Sequence, residues 1–196
     1  MTKAERTRQY IIDKTAPVFN RRGYAGTSLM DMTRATHLSK GALYGNFSNK
    51  EEIALAVFYY SMQKVRQAFN DEVVKSATNK ERLLRFFGFY RKYVFKTPVP
   101  GGCPLMNNAV DADDNSLFLK KAVASEAKRV MEYLTKIIDA GIQQGEFKRG
   151  IDAKEMATLF FCSIEGAIVL SRVSSSDLTM KAVINQLKKI LEQISL

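Results

Sequence analysis

Apolar residues recur at three- and four-residue spacing along almost the whole chain, and no stretch alternates apolar and polar positions with β-branched residues. The pattern predicts an all-α protein. From Lys3 to about Arg22 the residues Ile11, Ile12, Ala16 and Phe19 form one stripe, Gly23 stands where a C-terminal cap would, and Pro17 inside the run is expected to bend the helix. Thr27 and Ser28 offer N-cap hydroxyls, with Asp31 at capping-box spacing after Ser28. A short helix from there to about Thr36 buries Leu29, Met32 and Ala35. His37 and Leu38 make a turn in which His37 is expected at positive φ, and Ser39 caps a second short helix through Lys40, Gly41, Ala42, Leu43 and Tyr44. Asn49 caps a long third helix, with Glu51 and Glu52 near its positive end and Ile53, Ala56, Val57, Tyr60 and Val65 inward.

Past residue 70 the segments lengthen. Residues 80–96 predict a helix dense in aromatics, 97–108 the one clear Pro/Gly loop, 116–141 a further helix and 143–150 another loop. Two helices close the chain. One carries Met156, Leu159, Phe160, Ile164, Ala167 and Ile168, and the other a stripe of Met180, Val183, Ile184, Leu187, Ile190, Leu191 and Ile194.

Composition adds limits. At 196 residues, 46% hydrophobic and 26% charged, the chain has material for a packed core and is not of the disordered class. It has no uninterrupted apolar run of about 18 residues and no signal-peptide pattern, so a cytoplasmic protein with Cys103 and Cys162 as free thiols is expected. The net charge of +10 is one-sided: residues 1–50 hold nine basic and three acidic side chains, 51–100 nine and five, and the rest twelve of each. Such an excess is the footprint of polyanion binding. Chemistry points away from catalysis. The single His lies in a turn, no nucleophile and base stand out, no Gly-rich phosphate loop is present, and no His/Cys cluster has metal-ligand spacing, so neither cofactor nor metal is expected.

Two short helices joined by a tight turn, the second capped by Ser39, match a helix-turn-helix whose second helix enters the major groove of double-stranded DNA. Gly41 and Ala42 keep that helix narrow where it meets the duplex, while Ser39, Tyr44 and Lys50 can donate to phosphates. The segment 27–53 resembles the DNA-binding segment of the TetR family of bacterial transcriptional regulators, through Thr27, Met32, Leu38, Ser39, Gly41, Leu43, Tyr44, Phe47, Lys50, Glu51 and Ile53. It departs from the family pattern at Met32-Thr33, at Thr36-His37, at Asn49, and at Gly45-Asn46, where Gly45 is expected to loosen the recognition helix and Asn46 to remain a candidate contact. The resemblance implies phosphate contacts by Thr27 or Ser28, Ser39, Tyr44 and Lys50, and base contacts by Lys40, Gly41 and Ala42.

It also implies a helix-turn-helix domain over 1–48 and a larger helical ligand-binding and dimerisation domain over 49–196. In such proteins a small effector releases the operator, and the last two helices pair in a homodimer that reads a near-palindrome. The dimerisation candidates are Met156, Phe160, Ile164, Ile168, Val183, Leu187, Ile190 and Leu191. Phe58, Met62, Phe86, Phe89, Tyr90, Tyr93, Cys103, Met106 and Phe118 are candidates for an apolar or aromatic effector pocket. Residues 101–105 are similar to a Gly-Cys-x-Leu segment of one family branch, some of whose members sense electrophiles or oxidants; the alternative for Cys103 is a small buried residue in a tight backbone, and Cys162 is expected to be packed. The alternative to the regulator is a basic helical protein that binds a partner or a membrane surface without sequence-specific DNA binding.

Overall fold

Side-chain oxygens decide where most of the helices begin. The computed structural model describes residues 1–74 and 76–196, those at 113–115 by their backbone only. The helices are α1 (Lys3–Gly26), α2 (Leu29–Thr36), α3 (Lys40–Tyr44), α4 (Lys50–Val73), α5 (Asn79–Tyr93), α6 (Pro104–Asn115), α7 (Leu117–Gln143), α8 (Ala153–Val173) and α9 (Leu178–Ile194). Thr2 with Glu5 and Ser28 with Asp31 form reciprocal capping boxes at α1 and α2; Ser39, Thr78 and Asp152 accept backbone N–H groups at α3, α5 and α8. The all-α expectation holds, and the described residues contain no strand beyond one isolated bridge, Phe147 to Ser195.

Gly23 breaks α1 where a cap is expected, with φ 70° and ψ 179°, a conformation open to glycine alone among the residues there, and Pro17 is carried inside the helix without ending it. One expectation needs correction. The stretch 97–108 is not all loop, because α6 starts at Pro104, which sits at the first helical position where its missing N–H costs nothing.

The chain forms two compact units, Met1–Arg66 with Thr97–Ser125, and Gln67–Lys96 with Glu126–Leu196, so α4 and α7 contribute residues to both. The first unit is built on Ile11, Ala16, Phe19, Met32, Leu43 and Phe47 with Ile53, Ala54 and Val57 of α4; Leu29 and Leu38 pack against them, half-buried. α6 lies on α1. The buried amide of Asn20 donates to the carbonyls of Pro100 and Gly102 at 3.2 and 3.1 Å, and Asn107 donates back to Asn20.

In the second unit α8 packs on α9 and both meet α5. The aromatic run of α5 is interlocked edge to face: Phe86 and Phe89 against Phe69, Phe86 against Tyr90, and Phe87 against Phe160. Glu146 carries its carboxylate to the backbone N–H groups of Asn79 and Lys80 at the start of α5, at 3.0 and 2.9 Å. Five of the expected dimerisation residues, Phe160, Ile164, Ile168, Leu187 and Leu191, are buried inside this unit; Met156, Val183 and Ile190 are half-buried. The apolar stripe of α8 that faces outward is a different one: Leu159, Cys162, Gly166, Val169, Leu170 and Val173, with Leu170 58% and Val173 81% exposed. Cys162 is therefore exposed rather than packed, while Cys103 is buried, and both are free thiols. Apolar on both faces, α8 reaches the length and hydropathy of a membrane span while serving as a core helix of this unit.

Candidate nucleic-acid interface

Local locks fix the helix-turn-helix. Thr27 is fully buried and donates its hydroxyl to the Gly23 carbonyl at 2.7 Å, which closes the break in α1 and sends the chain into α2. At the other end of α2 the buried Thr36 hydroxyl donates to Met32 O at 2.8 Å and accepts the Leu38 N–H at 3.3 Å. His37 between them lies at φ 56°, ψ 24°, the left-handed turn conformation expected of it, and is exposed. α3 then starts at Ser39, whose Oγ accepts the Ala42 N–H at 3.1 Å.

The end of α3 is held more firmly than expected. Gly45 keeps helical angles and donates to Gly41 O at 2.8 Å, and the Asn46 side chain donates to Ala42 O at 2.8 Å. Arg8 of α1 donates to the Asn46 carbonyl, pairs with Glu52 and lies 3.9 Å from the centre of the Phe47 ring. Asn49 caps α4 by accepting the Glu52 N–H at 2.8 Å. The backbone N–H of Ser48 and the guanidinium of Arg8 hold the Glu52 carboxyl below the usual range.

Against this frame the candidate contacts divide. Ser39, Lys40 and Gly41 are exposed, and Ala42, Tyr44, Asn46 and Lys50 are half-buried along the same turn-and-helix segment. Thr27 is removed from the set, because a fully buried hydroxyl spent on Gly23 cannot reach a phosphate. Ser28 is exposed, but its hydroxyl proton goes to Asp31 at 2.7 Å, so it offers an acceptor and no free donor. The same backbone and side-chain hydrogen bonds from Ser28, with Arg22 nearby, keep Asp31 ionised below its ordinary range.

Lys50 places its ammonium 4.3 Å from the centre of the Tyr24 ring. Burial pulls its pKa down, and the carboxylate of Asp111 on α6 opposes that pull. The residues that the sequence did not single out are Arg8, Tyr24 and Met30. Met30 is 65% exposed at the start of α2 and had a signal, since the stripe Leu29, Met32 and Ala35 leaves it facing out. Arg8 had none, because its partners lie 38 and 44 residues away.

The pocket candidates are distributed over both units. Phe86, Phe89, Tyr90 and Tyr93 belong to the ring cluster of the second, whereas Phe58, Met62, Cys103, Met106 and Phe118 belong to the first. Phe118 in particular stacks edge-on against Tyr24, with ring centres 5.0 Å apart, which makes it part of the DNA-binding unit's packing. Cys103 takes the N-cap position of α6 without a side-chain capping bond.

Residues 11–57 match the family model of bacterial regulatory proteins of the tetR family, and residues 79–187 match that of the tetracyclin repressor-like C-terminal domain. The chain belongs to the TetR family. It is thus a DNA-binding, ligand-responsive transcriptional regulator with a helix-turn-helix at its N-terminal end and a helical effector domain after it. Its fold agrees closely with that of a TetR-family transcriptional regulator from Cytophaga hutchinsonii, with a TM-score of 0.92 at 37% identity over 100% of this chain and 98% of that one. A TetR transcriptional regulator from Chloroflexus aurantiacus J-10-FL gives 0.95 at 31% identity, again over 100% and 98%. Among curated proteins, the HTH-type transcriptional repressor DhaR of Mycobacterium sp. (strain GP1) is 26% identical over 173 residues, 85% of this chain and 82% of that protein. The family is one of transcriptional regulators, and the alternative of a partner- or membrane-surface protein finds no support in these likenesses.

Proposed function

We propose that this TetR-family protein is a cytoplasmic, homodimeric repressor that holds a near-palindromic operator and releases it when a small apolar or aromatic effector binds. The observation that carries the DNA reading is the exposed run Ser39-Lys40-Gly41, fixed by the turn at His37 and the cap at Ser39. In this reading Ser39, Tyr44 and Lys50 contact phosphates, Lys40 reaches guanine acceptors, and Gly41 and Ala42 meet thymine methyls. Asn46, already bonded to Ala42 O, serves the helix end first.

Two copies join through the outward stripe of α8, Leu159 to Val173, rather than through the inward residues of the same helix. A continuous exposed apolar stripe on one helix is what an isologous interface needs. The functional division near residue 48 separates the DNA-reading helices from the effector domain. Tyr90 and Tyr93 set hydroxyls among the rings of α5, a chemistry suited to a flat, mainly apolar effector.

The test is fluorescence anisotropy with the duplex upstream of the protein's own gene against a scrambled duplex, at several salt concentrations. The reading expects preference for the native duplex, lost in Lys40→Ala and Tyr44→Ala. Equal binding to both duplexes at every salt concentration overturns it.

A further inference from the structure

Tyr24 is the meeting point of three elements of the first unit. Its ring carries the Lys50 ammonium of α4 at 4.3 Å and meets the edge of Phe118 of α7 at 5.0 Å with planes 77° apart. Its backbone N–H donates to the carboxylate of Asp111 on α6, directly after the break at Gly23, where any Cβ would overlap that carboxylate. A lysine has a long, flexible stem, and confining it before the duplex arrives lowers the entropy lost on contact. An aromatic face does this without neutralising the charge, whereas a carboxylate pair would compete directly with phosphate.

We propose that Tyr24 is a positioning residue of the DNA interface: held from α6 by Asp111 and from α7 by Phe118, its ring presents the Lys50 ammonium to the duplex backbone. The inference rests on the reading of Lys50 as a phosphate contact and adds to it the device that aims the cation. It also gives the break at Gly23 a purpose, because only a chain turned there frees the Tyr24 N–H for Asp111. α6 and the start of α7 thereby act on one named contact with DNA, through Tyr24.

The test is a double-mutant cycle on the purified full chain with the operator duplex. Lys50→Ala should weaken binding and reduce the salt slope by about one. Tyr24→Leu, which keeps bulk and removes the aromatic face, should weaken binding about three- to tenfold, because the freed Lys50 stem is then confined only on contact with the duplex. In the Lys50→Ala background the same Tyr24→Leu change should have no further effect, and Tyr24→Phe should bind like the parent. Thermal melting accompanies each variant, and Phe118→Leu supplies a milder perturbation of the same ring if Tyr24→Leu does not fold. In the free protein, side-chain NMR should find the Lys50 ε-methylene shifted upfield by the ring in the parent and in Tyr24→Phe. Equal losses in the presence and absence of Lys50 overturn the positioning role while leaving the DNA reading intact. Absence of operator preference in the parent overturns both, and the NMR shift then marks a packing contact alone.

Discussion

The side-chain amide of Asn107 donates to the backbone oxygen of Asn20 at 2.7 Å and to its side-chain oxygen at 3.1 Å. Asn20 in turn spends its own amide on the carbonyls of the 99–102 turn, so a buried polar cluster ties α1, that turn and α6 together. Gly101 stands at φ 130°, and a Cβ there would lie 2.7 Å from the Asn20 carbonyl oxygen. Gly101→Ala should therefore destabilise the protein by about 2–3 kcal/mol through strain and overlap together. Asn20→Ala should cost about 1–3 kcal/mol through carbonyls left buried without donors. Urea denaturation checks both, and a midpoint unchanged in Gly101→Ala would contradict the close approach.

That cluster also marks the limit of what a sequence reveals. The capping box of Ser28 with Asp31, the Ser39 and Asn49 caps and the left-handed turn at His37 were legible because each depends on residues within a few positions of one another. The grip of Asn20 on a turn about eighty residues later leaves no local signature. The Gly-Gly-Cys-Pro stretch 101–104 accordingly reads as a backbone fitted against Asn20, with Cys103 buried at the head of α6. The two faces of α8 are not separable in the sequence for another reason. Both faces are apolar, so periodicity finds two stripes and burial alone tells them apart. Thr27 looked like a contact because a hydroxyl near a helix start serves equally well as a lock.

Stability should fall in acid partly through Glu146. Burial works to raise its pKa, but the backbone N–H groups of Lys80 and Asn79 outweigh this and hold it below the ordinary glutamate value. A carboxyl depressed in the folded state contributes stability that is complete above its unfolded pKa and disappears as pH falls through the folded one. The loss should thus begin near the ordinary glutamate value of about 4.3 and continue below it. Glu146→Gln should be less stable at neutral pH and show a shallower decline between about pH 5 and pH 3. The decline should not vanish, since Glu81 and Asp31 are depressed in the same direction. Denaturation midpoints of the two proteins at pH 7 and pH 4 make the comparison; parallel curves would remove Glu146 from the account.

The outward stripe of α8 gives an oligomer test with a built-in reporter. Leu170→Glu with Val173→Lys puts two charges of opposite sign on residues now 58% and 81% exposed, where the monomer fold loses little. A dimer burying that stripe should dissociate, and operator affinity should fall at least tenfold because the two recognition helices no longer bind as one ligand. Phe160→Glu, by contrast, should unfold the second unit, since Phe160 is fully buried against Phe87. Cys162 lies on the same outward stripe, so its thiol should react slowly in the parent and fast in the charged variant. Sedimentation of both proteins and thiol labelling provide two independent readings, and a parent that sediments as a monomer at micromolar concentration excludes this interface.

Asp111 makes the sharpest electrostatic prediction, because its carboxylate serves two ends. It holds the Tyr24 N–H, and it is the acid that acts on the Lys50 ammonium. Asp111→Asn keeps an oxygen to accept the N–H and removes the charge, whereas Asp111→Leu removes both. The change acts through the field near the duplex and through the position of Tyr24. Asp111→Asn should bind operator about two- to fivefold more tightly at low salt, with the gain shrinking as screening increases. Asp111→Leu should bind more weakly than the parent despite the same gain in net charge, because the α6 hold on Tyr24 is gone. Anisotropy titrations at two salt concentrations separate the cases: if both variants gain equally, the carboxylate is a bystander charge, and opposite signs mean that its hydrogen bond to Tyr24 sets the DNA-binding geometry.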